Sequence, residues 1–142
     1  MNITYTNHLS AEEFNGLRAD VGWTPIDHGL VVKGLENTAF VVCARDGEKA
    51  IGMARVITDF GYVYYIANVV VSPEYQGKGI GREIMTRILA YINNDVSGDQ
   101  VRYIALMAAE GKEEFYEKFG FLKRPSGKSG CGMTMWVEST EV

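Results

Sequence analysis

The sequence has little of what builds metal centres or disulfide frameworks: two cysteines and two histidines in 142 residues. Cys43 and Cys131 lie far apart and form no CxxC pair. They are expected to be buried free thiols in a reducing compartment, not a covalent staple. No group of His, Cys, Asp and Glu has metal-ligand spacing, so no metal is expected. Basic runs are absent and the formal net charge is -4, which argues against a nucleic-acid partner. No segment is long and apolar enough to cross a bilayer, and no membrane partner is expected. The opening "MNITYTNHLS" has neither a basic head nor an apolar run, so no secretory signal is read there and a cytoplasmic location is the expectation.

What remains is the composition of a globular protein, with 46% hydrophobic and 23% charged residues. That length suits one domain, 1–142, around one core. "ITYTNHL" alternates as a strand, and Ser10 with Glu13 makes a capping box for a helix from about Ala11 to Asp20. Pro25 suits the start of a second helix running towards Leu35. "TAFVVCAR" and "AIGMARVITD" read as strands joined by a hairpin at Asp46-Gly47, and a long strand "YVYYIANVVV" follows. Ile80, Ile84, Ile88, Leu89 and Ile92 fall at helical spacing. "VRYIALMA" is a buried strand, "GKEEFYEKFG" a short helix stopped by Gly120, and strands at Phe121-Leu122 and "MTMWVE" close the chain. The order describes one α/β domain with a mostly antiparallel meander in the middle.

The most informative stretch is "VVVSPEYQGKGIGREIM", Val69 to Met85, which joins a strand to a helix through Gly77, Gly79 and Gly81. Glycine in a first helical turn costs roughly 1 kcal/mol relative to alanine. A compensating gain is available, because helix N-terminal amides and the helix dipole favour a phosphate there. Gln76, Lys78 and Arg82 add donors, two of them charged. The pattern G-x-x-x-x-G-K-[ST] of triphosphate-binding loops is absent. The dinucleotide pattern G-x-G-x-x-G also fails, because Arg82 stands in the place of its third glycine counted from Gly77, and Ile84 counted from Gly79.

Two motifs carry a more specific likeness. Gln76, Gly79 and Gly81 match [QR]-x-x-G-x-[GA], and "FYEKFGF", Phe115 to Phe121, resembles an aromatic-Tyr-x-x-x-Gly-Phe segment. Together they resemble the GCN5-related N-acetyltransferase (GNAT) family, as does the element order over essentially the whole chain. The resemblance implies a central mixed, mostly antiparallel sheet with a splayed parallel strand pair and helices on both faces. It implies acetyl-CoA as co-substrate. The backbone of Val69, Val70 and Val71 would meet the acetyl carbonyl and pantetheine arm. The amides of Gln76, Gly77, Lys78, Gly79, Ile80, Gly81 and Arg82 would cradle the diphosphate. Lys112 would reach a phosphate, compensating for Ala109, which stands where the family often has an asparagine.

Acetyl transfer to an amine requires a neutral nucleophile, a polarised thioester and a proton for the departing thiolate. Tyr116 matches the family's general acid, and a phenol with a pKa near 10 suits that task. No carboxylate lies in "VRYIALM" to act as base; Asp59, Glu110 or a water held by Asn68 or Tyr64 are the candidates. By the same resemblance, Trp23, His28 and Tyr64 are expected in the acceptor pocket, with Tyr62, Tyr65, Arg124 and Trp136 around it. Aromatic rings favour an aryl group or a cation. The expected activity is acetylation of a small primary amine, arylalkylamine or polyamine-like. Acetylation of protein lysine or N-terminal amines, and a non-catalytic acyl-CoA sensor, stay open, as does a homodimer.

Overall fold

The computed structural model describes residues 1–138. These group into two compact units, one ending at Leu106 and the other beginning at Met107. The first unit holds β1 (Ile3–Thr6), α1 (Ala11–Asp20), α2 (His28–Glu36), β2 (Phe40–Asp46), β3 (Lys49–Thr58) and β4 (Val63–Val71), then a 3₁₀ turn (Pro73–Tyr75), α3 (Ile80–Asp95) and β5 (Tyr103–Leu106). The second holds α4 (Glu113–Glu117).

The strands form one sheet in the order β1-β2-β3-β4-β5. The first three pairings are antiparallel and β4 with β5 is parallel. Side chains alternate across such a sheet, and the two faces take different helices. On one face Met53 and Val70 bury against Ala11, Phe14, Leu17 and Val31 of α1 and α2. On the other, Gly52 admits α3. A Cβ built at Gly52 would stand 3.0 Å from Ile84 Cδ1 and 3.2 Å from the carbonyl oxygen of Val70. Ile80, Ile84, Ile88 and Ile92 of α3 are all buried, as their spacing predicts.

Local signals set the helix starts. The Ser10 hydroxyl accepts from Glu13 N at 3.0 Å and Glu13 Oε1 accepts from Ser10 N at 2.9 Å, the expected capping box. α2 starts later than Pro25 suggests, because Asp27 is the residue whose carboxylate caps it, accepting from Leu30 N at 3.2 Å.

Two irregularities mark the second half of β4. Met53 pairs with Val70 but Arg55 pairs with Ala67, so β4 carries one extra residue there. Asn68 absorbs it with a φ of 57°, a left-handed conformation that asparagine tolerates better than most residues. On the other edge, the ladder with β5 ends at Ile66↔Leu106. Ala67 to Val71 therefore have no ladder partner on that side among the described residues. This is the splay the resemblance implies.

The end of the chain departs from expectation. Neither Phe121-Leu122 nor "MTMWVE" forms a strand; the only bridge beyond α4 among the described residues joins Ser126 to Ser129. Met133, Met135, Trp136 and Val137 are exposed, and so is Cys131, against the expectation of two buried thiols; Cys43 alone is buried. Alternation supplies strand propensity, but a strand exists only when a ladder satisfies its backbone.

Candidate functional site

The turn after β4 is braced by its own side chains. The Ser72 hydroxyl donates to Asp20 Oδ2 at 2.7 Å, tying the turn to the end of α1. The Tyr75 hydroxyl donates to Asp46 Oδ2 at 2.7 Å. Gln76 donates twice within the turn: its amide N–H meets Pro73 O at 3.2 Å and its Nε2 meets Val71 O at 2.8 Å. Gln76 thus shapes the loop. The donors left over belong to its neighbours.

Gly77 and Gly79 have φ of 76° and 83°, where a side chain would cost roughly 1–2 kcal/mol. The first helical bond of α3 is Glu83 N to Gly79 O at 3.1 Å. The amides of Gly77 to Arg82 precede it, and none meets an acceptor among the described residues. Gly79 is the N-cap and has no side chain to cap them. A Cβ on Gly77 or Gly79 would meet nothing within 4 Å, so open space adjoins these amides. Lys78 and Arg82 are in no ion pair among the described residues. Donors, positive dipole and two cations without a built-in acceptor fit a diphosphate. Ile80 is buried and anchors the helix start; Val70 is buried against α1 and α2. Neither presents its side chain to a ligand.

On the α1 and α2 face, beside the splay, lies a group that sequence reasoning did not single out. Arg55 Nε donates to Asn68 Oδ1 at 2.8 Å and Nη1 donates to Thr38 Oγ1 at 3.0 Å. Its guanidinium also lies 6.0 Å from the Phe14 ring centroid. Burial lowers its pKa from the usual arginine value. The signal was there: an arginine in an otherwise apolar strand, "AIGMARVIT".

The acceptor-pocket residues separate. Trp23 is half-buried, with Arg18 Cζ 5.4 Å from its ring centroid. His28 is the exposed first residue of α2, its Nδ1 4.0 Å from Glu12 Oε1. Tyr64 is fully buried on the α3 side and its hydroxyl donates to Asp95 Oδ2 at 2.6 Å. That hydrogen bond, with burial, pushes its pKa up to about 12. Tyr64 therefore packs the core and presents no surface to an acceptor. Asp59 serves a turn, accepting from Gly61 N at 2.9 Å. An open hollow of about 590 Å³ lies by Phe60, Tyr62 and Asp95, at the end of β4 away from the glycine turn.

In the second unit Tyr116 is buried, with Phe115 and Phe121 edge-on at 5.0 and 6.3 Å between ring centroids. Burial pushes its phenol up to about 12. Gly120 has a φ of 101° and follows the last turn of α4, its amide meeting Glu117 O at 3.0 Å. Lys112 is the exposed N-cap of α4, and Glu110 is exposed before it.

Comparison with known proteins agrees with the fold. Residues 36–123 match the family model described as an acetyltransferase (GNAT) domain. A solved structure from methicillin-resistant Staphylococcus aureus, described as a probable acetyltransferase, superposes with a TM-score of 0.85 at 33% identity, covering 95% of this chain and 99% of that one. The uncharacterized N-acetyltransferase ycf52 of Pyropia yezoensis is 26% identical over 90% of this chain and 74% of its own length. The histone acetyltransferase TAP1 of Glycine max is 32% identical over 78% of this chain and 51% of its own length.

Proposed function

Because the chain belongs to the GNAT acetyltransferase family, we propose that it moves the acetyl group of acetyl-CoA onto a primary amine of a small molecule. The observation that carries the cofactor half is the row of amides from Gly77 to Arg82 without acceptors, flanked by Lys78 and Arg82. In this reading they hold the diphosphate, with Lys112 as a further cation for a phosphate. The edge of Val69, Val70 and Val71 that lacks a ladder partner holds the pantetheine arm and the acetyl carbonyl. Chain 1–142 works as one transferase domain.

Acetyl-CoA supplies an activated thioester. The neutral amine forms the new C–N bond as the C–S bond breaks, and the nitrogen loses its extra proton to water. Tyr116 gives its phenolic proton to the departing thiolate. A phenol held at about 12 by burial remains protonated over the whole working range, so the donor is always loaded. Asp59 is engaged in its turn and Glu110 is exposed; in this reading solvent, and neither carboxylate, takes the amine's proton. Trp23 and His28, on the α1 and α2 side, are the proposed acceptor contacts.

A second reading has one specific support: a relative is named a histone acetyltransferase. The two readings part in a thiol-release assay with acetyl-CoA. Small amines should be turned over, and lysine peptides and free N-terminal peptides should release thiol at least about a hundredfold more slowly at equal concentration. Faster release with peptides would replace the small-molecule reading. No release with either class would favour an acyl-CoA sensor.

A further inference from the structure

Arg55 is a half-buried cation with no carboxylate partner among the described residues. Each ion pair among the described residues lies elsewhere: His28–Glu12, Arg45–Glu13 and Arg87–Glu83. Arg45 makes the contrast. It is buried too, but Glu13 gives it a carboxylate at 2.6 Å. The acceptors of Arg55 are a threonine hydroxyl and an asparagine amide oxygen, both neutral. Removing a guanidinium from water without a counter-charge is costly.

The hydrogen bonds sharpen this contrast. Arginine only donates, so Asn68 must turn Oδ1 towards it and Nδ2 away. Neither Asn68 Nδ2 nor Arg55 Nη2 has an acceptor among the described residues. Neither is sealed from solvent: among the described residues the fully buried side-chain polar atom without a partner is Arg102 Nε, not either of these. Two neighbouring side chains therefore hold out donors, with net positive charge and no acceptor. The group that fits is one that only accepts and is negative.

Position gives the site its meaning. Asn68 forms the bulge of β4 and lies one to three residues before Val69 to Val71, roughly 3–10 Å along the strand. Thr38 and Phe14 put the guanidinium on the α1 and α2 face. Resting on the proposed function, we propose that Arg55 and Asn68 form an anion subsite in the acceptor cleft, so that the acetylated amine carries a carboxylate or phosphate a few bonds from its nitrogen. A polyamine brings a second positive charge to this point; a short zwitterionic amine brings the missing negative one.

The test uses the full chain and matched acceptors: β-alanine against β-alanine amide, and O-phosphoethanolamine against ethanolamine. The charged member of at least one pair should be preferred in kcat/KM by about 10–100-fold, the range of a charge-assisted hydrogen-bonded pair. Which pair shows it separates carboxylate from phosphate. Arg55→Gln should collapse that preference, chiefly through KM, and Arg55→Lys should restore part of it, since lysine keeps the charge but not the fork. Calorimetric binding of the same four amines in the presence of coenzyme A gives a readout that needs no turnover. Arg55-dependent binding of a charged amine without thiol release would uphold the subsite while overturning acetylation of small amines. Preference for the uncharged members would overturn the subsite, as would an equal loss for both members of each pair in Arg55→Gln. So would the absence of binding by either charged amine.

Discussion

Arg45 Nη1 lies 2.6 Å from Glu13 Oε2, and Nη2 lies 3.2 Å from Oε1, a two-pronged pair joining β2 to α1. The same guanidinium donates to His8 O at 3.1 Å and Thr6 Oγ1 at 3.1 Å, so one side chain ties β1, β2 and α1 together. The Arg45 hydrogen bond is the main reason that the Glu13 carboxyl falls from an ordinary 4.5 to about 2. A carboxyl with a depressed folded-state pKa stabilises the fold above its unfolded value, and that contribution is lost as pH falls through the folded one. Glu13→Gln should cost on the order of 2 kcal/mol at pH 7, allowing for the partial exposure of the carboxylate. The gap between the two urea midpoints should narrow between pH 4.5 and about 2. A gap independent of pH would mean that Glu13 acts by packing or capping alone.

Tyr116→Phe keeps the ring contacts with Phe115 and Phe121 and removes the proton donor. Coenzyme A should bind as before while kcat falls by about 10²–10⁴. The pH profile carries the finer test. A phenol held at about 12 cannot lose its proton below that pH to any large extent. With deprotonation of the amine left to solvent, kcat/KM should climb from about pH 6 through 9 without a falling limb before about pH 11. A decline beginning near pH 9, absent in Tyr116→Phe, would mean that the phenol titrates near its ordinary value. A shared inflection near pH 6 to 7 for acceptors of different basicity would reveal a dedicated base.

Much of the fold was legible because it depends on local pattern. The capping box at Ser10 and Glu13, the hairpin at Asp46-Gly47 and the isoleucine stripe of α3 each state their structure within a few residues. The glycine turn was legible for the same reason. Gln76 was half read, since nothing in its spacing says that its carboxamide folds back onto Val71. The bulge at Asn68 was not foreseen, because register depends on the partner strand. An asparagine among β-branched residues in "YIANVVV" is the one hint. Tyr64 misled as an aromatic near the site: only the fold turns it to α3 and Asp95. The last strands failed because their pattern names no ladder partner.

If Arg55 recruits an anion, supplying one from the protein should block it. Asn68→Asp keeps a side chain that tolerates the left-handed φ of 57° and sets a carboxylate where Oδ1 now lies, 2.8 Å from Arg55 Nε. The preference for charged over uncharged acceptors should fall by about tenfold or more. An unchanged preference in the kcat/KM ratios would mean that the acceptor's charge is read elsewhere.

The turn from Gly77 to Arg82 as a diphosphate cradle is the central claim, and calorimetric titration tests it most directly. The ligands are coenzyme A and pantetheine, which lacks the diphosphate, on the unaltered protein and on Gly79→Asp. A side chain at a φ of 83° brings strain, and a carboxylate there brings negative charge to the donor amides, so circular dichroism first establishes that the variant is folded. Coenzyme A should bind the unaltered protein at least about a hundredfold more tightly than pantetheine, and Gly79→Asp should abolish that difference. Equal affinities for the two ligands, or a folded Gly79→Asp protein that binds coenzyme A as well as the original, would contradict the cradle.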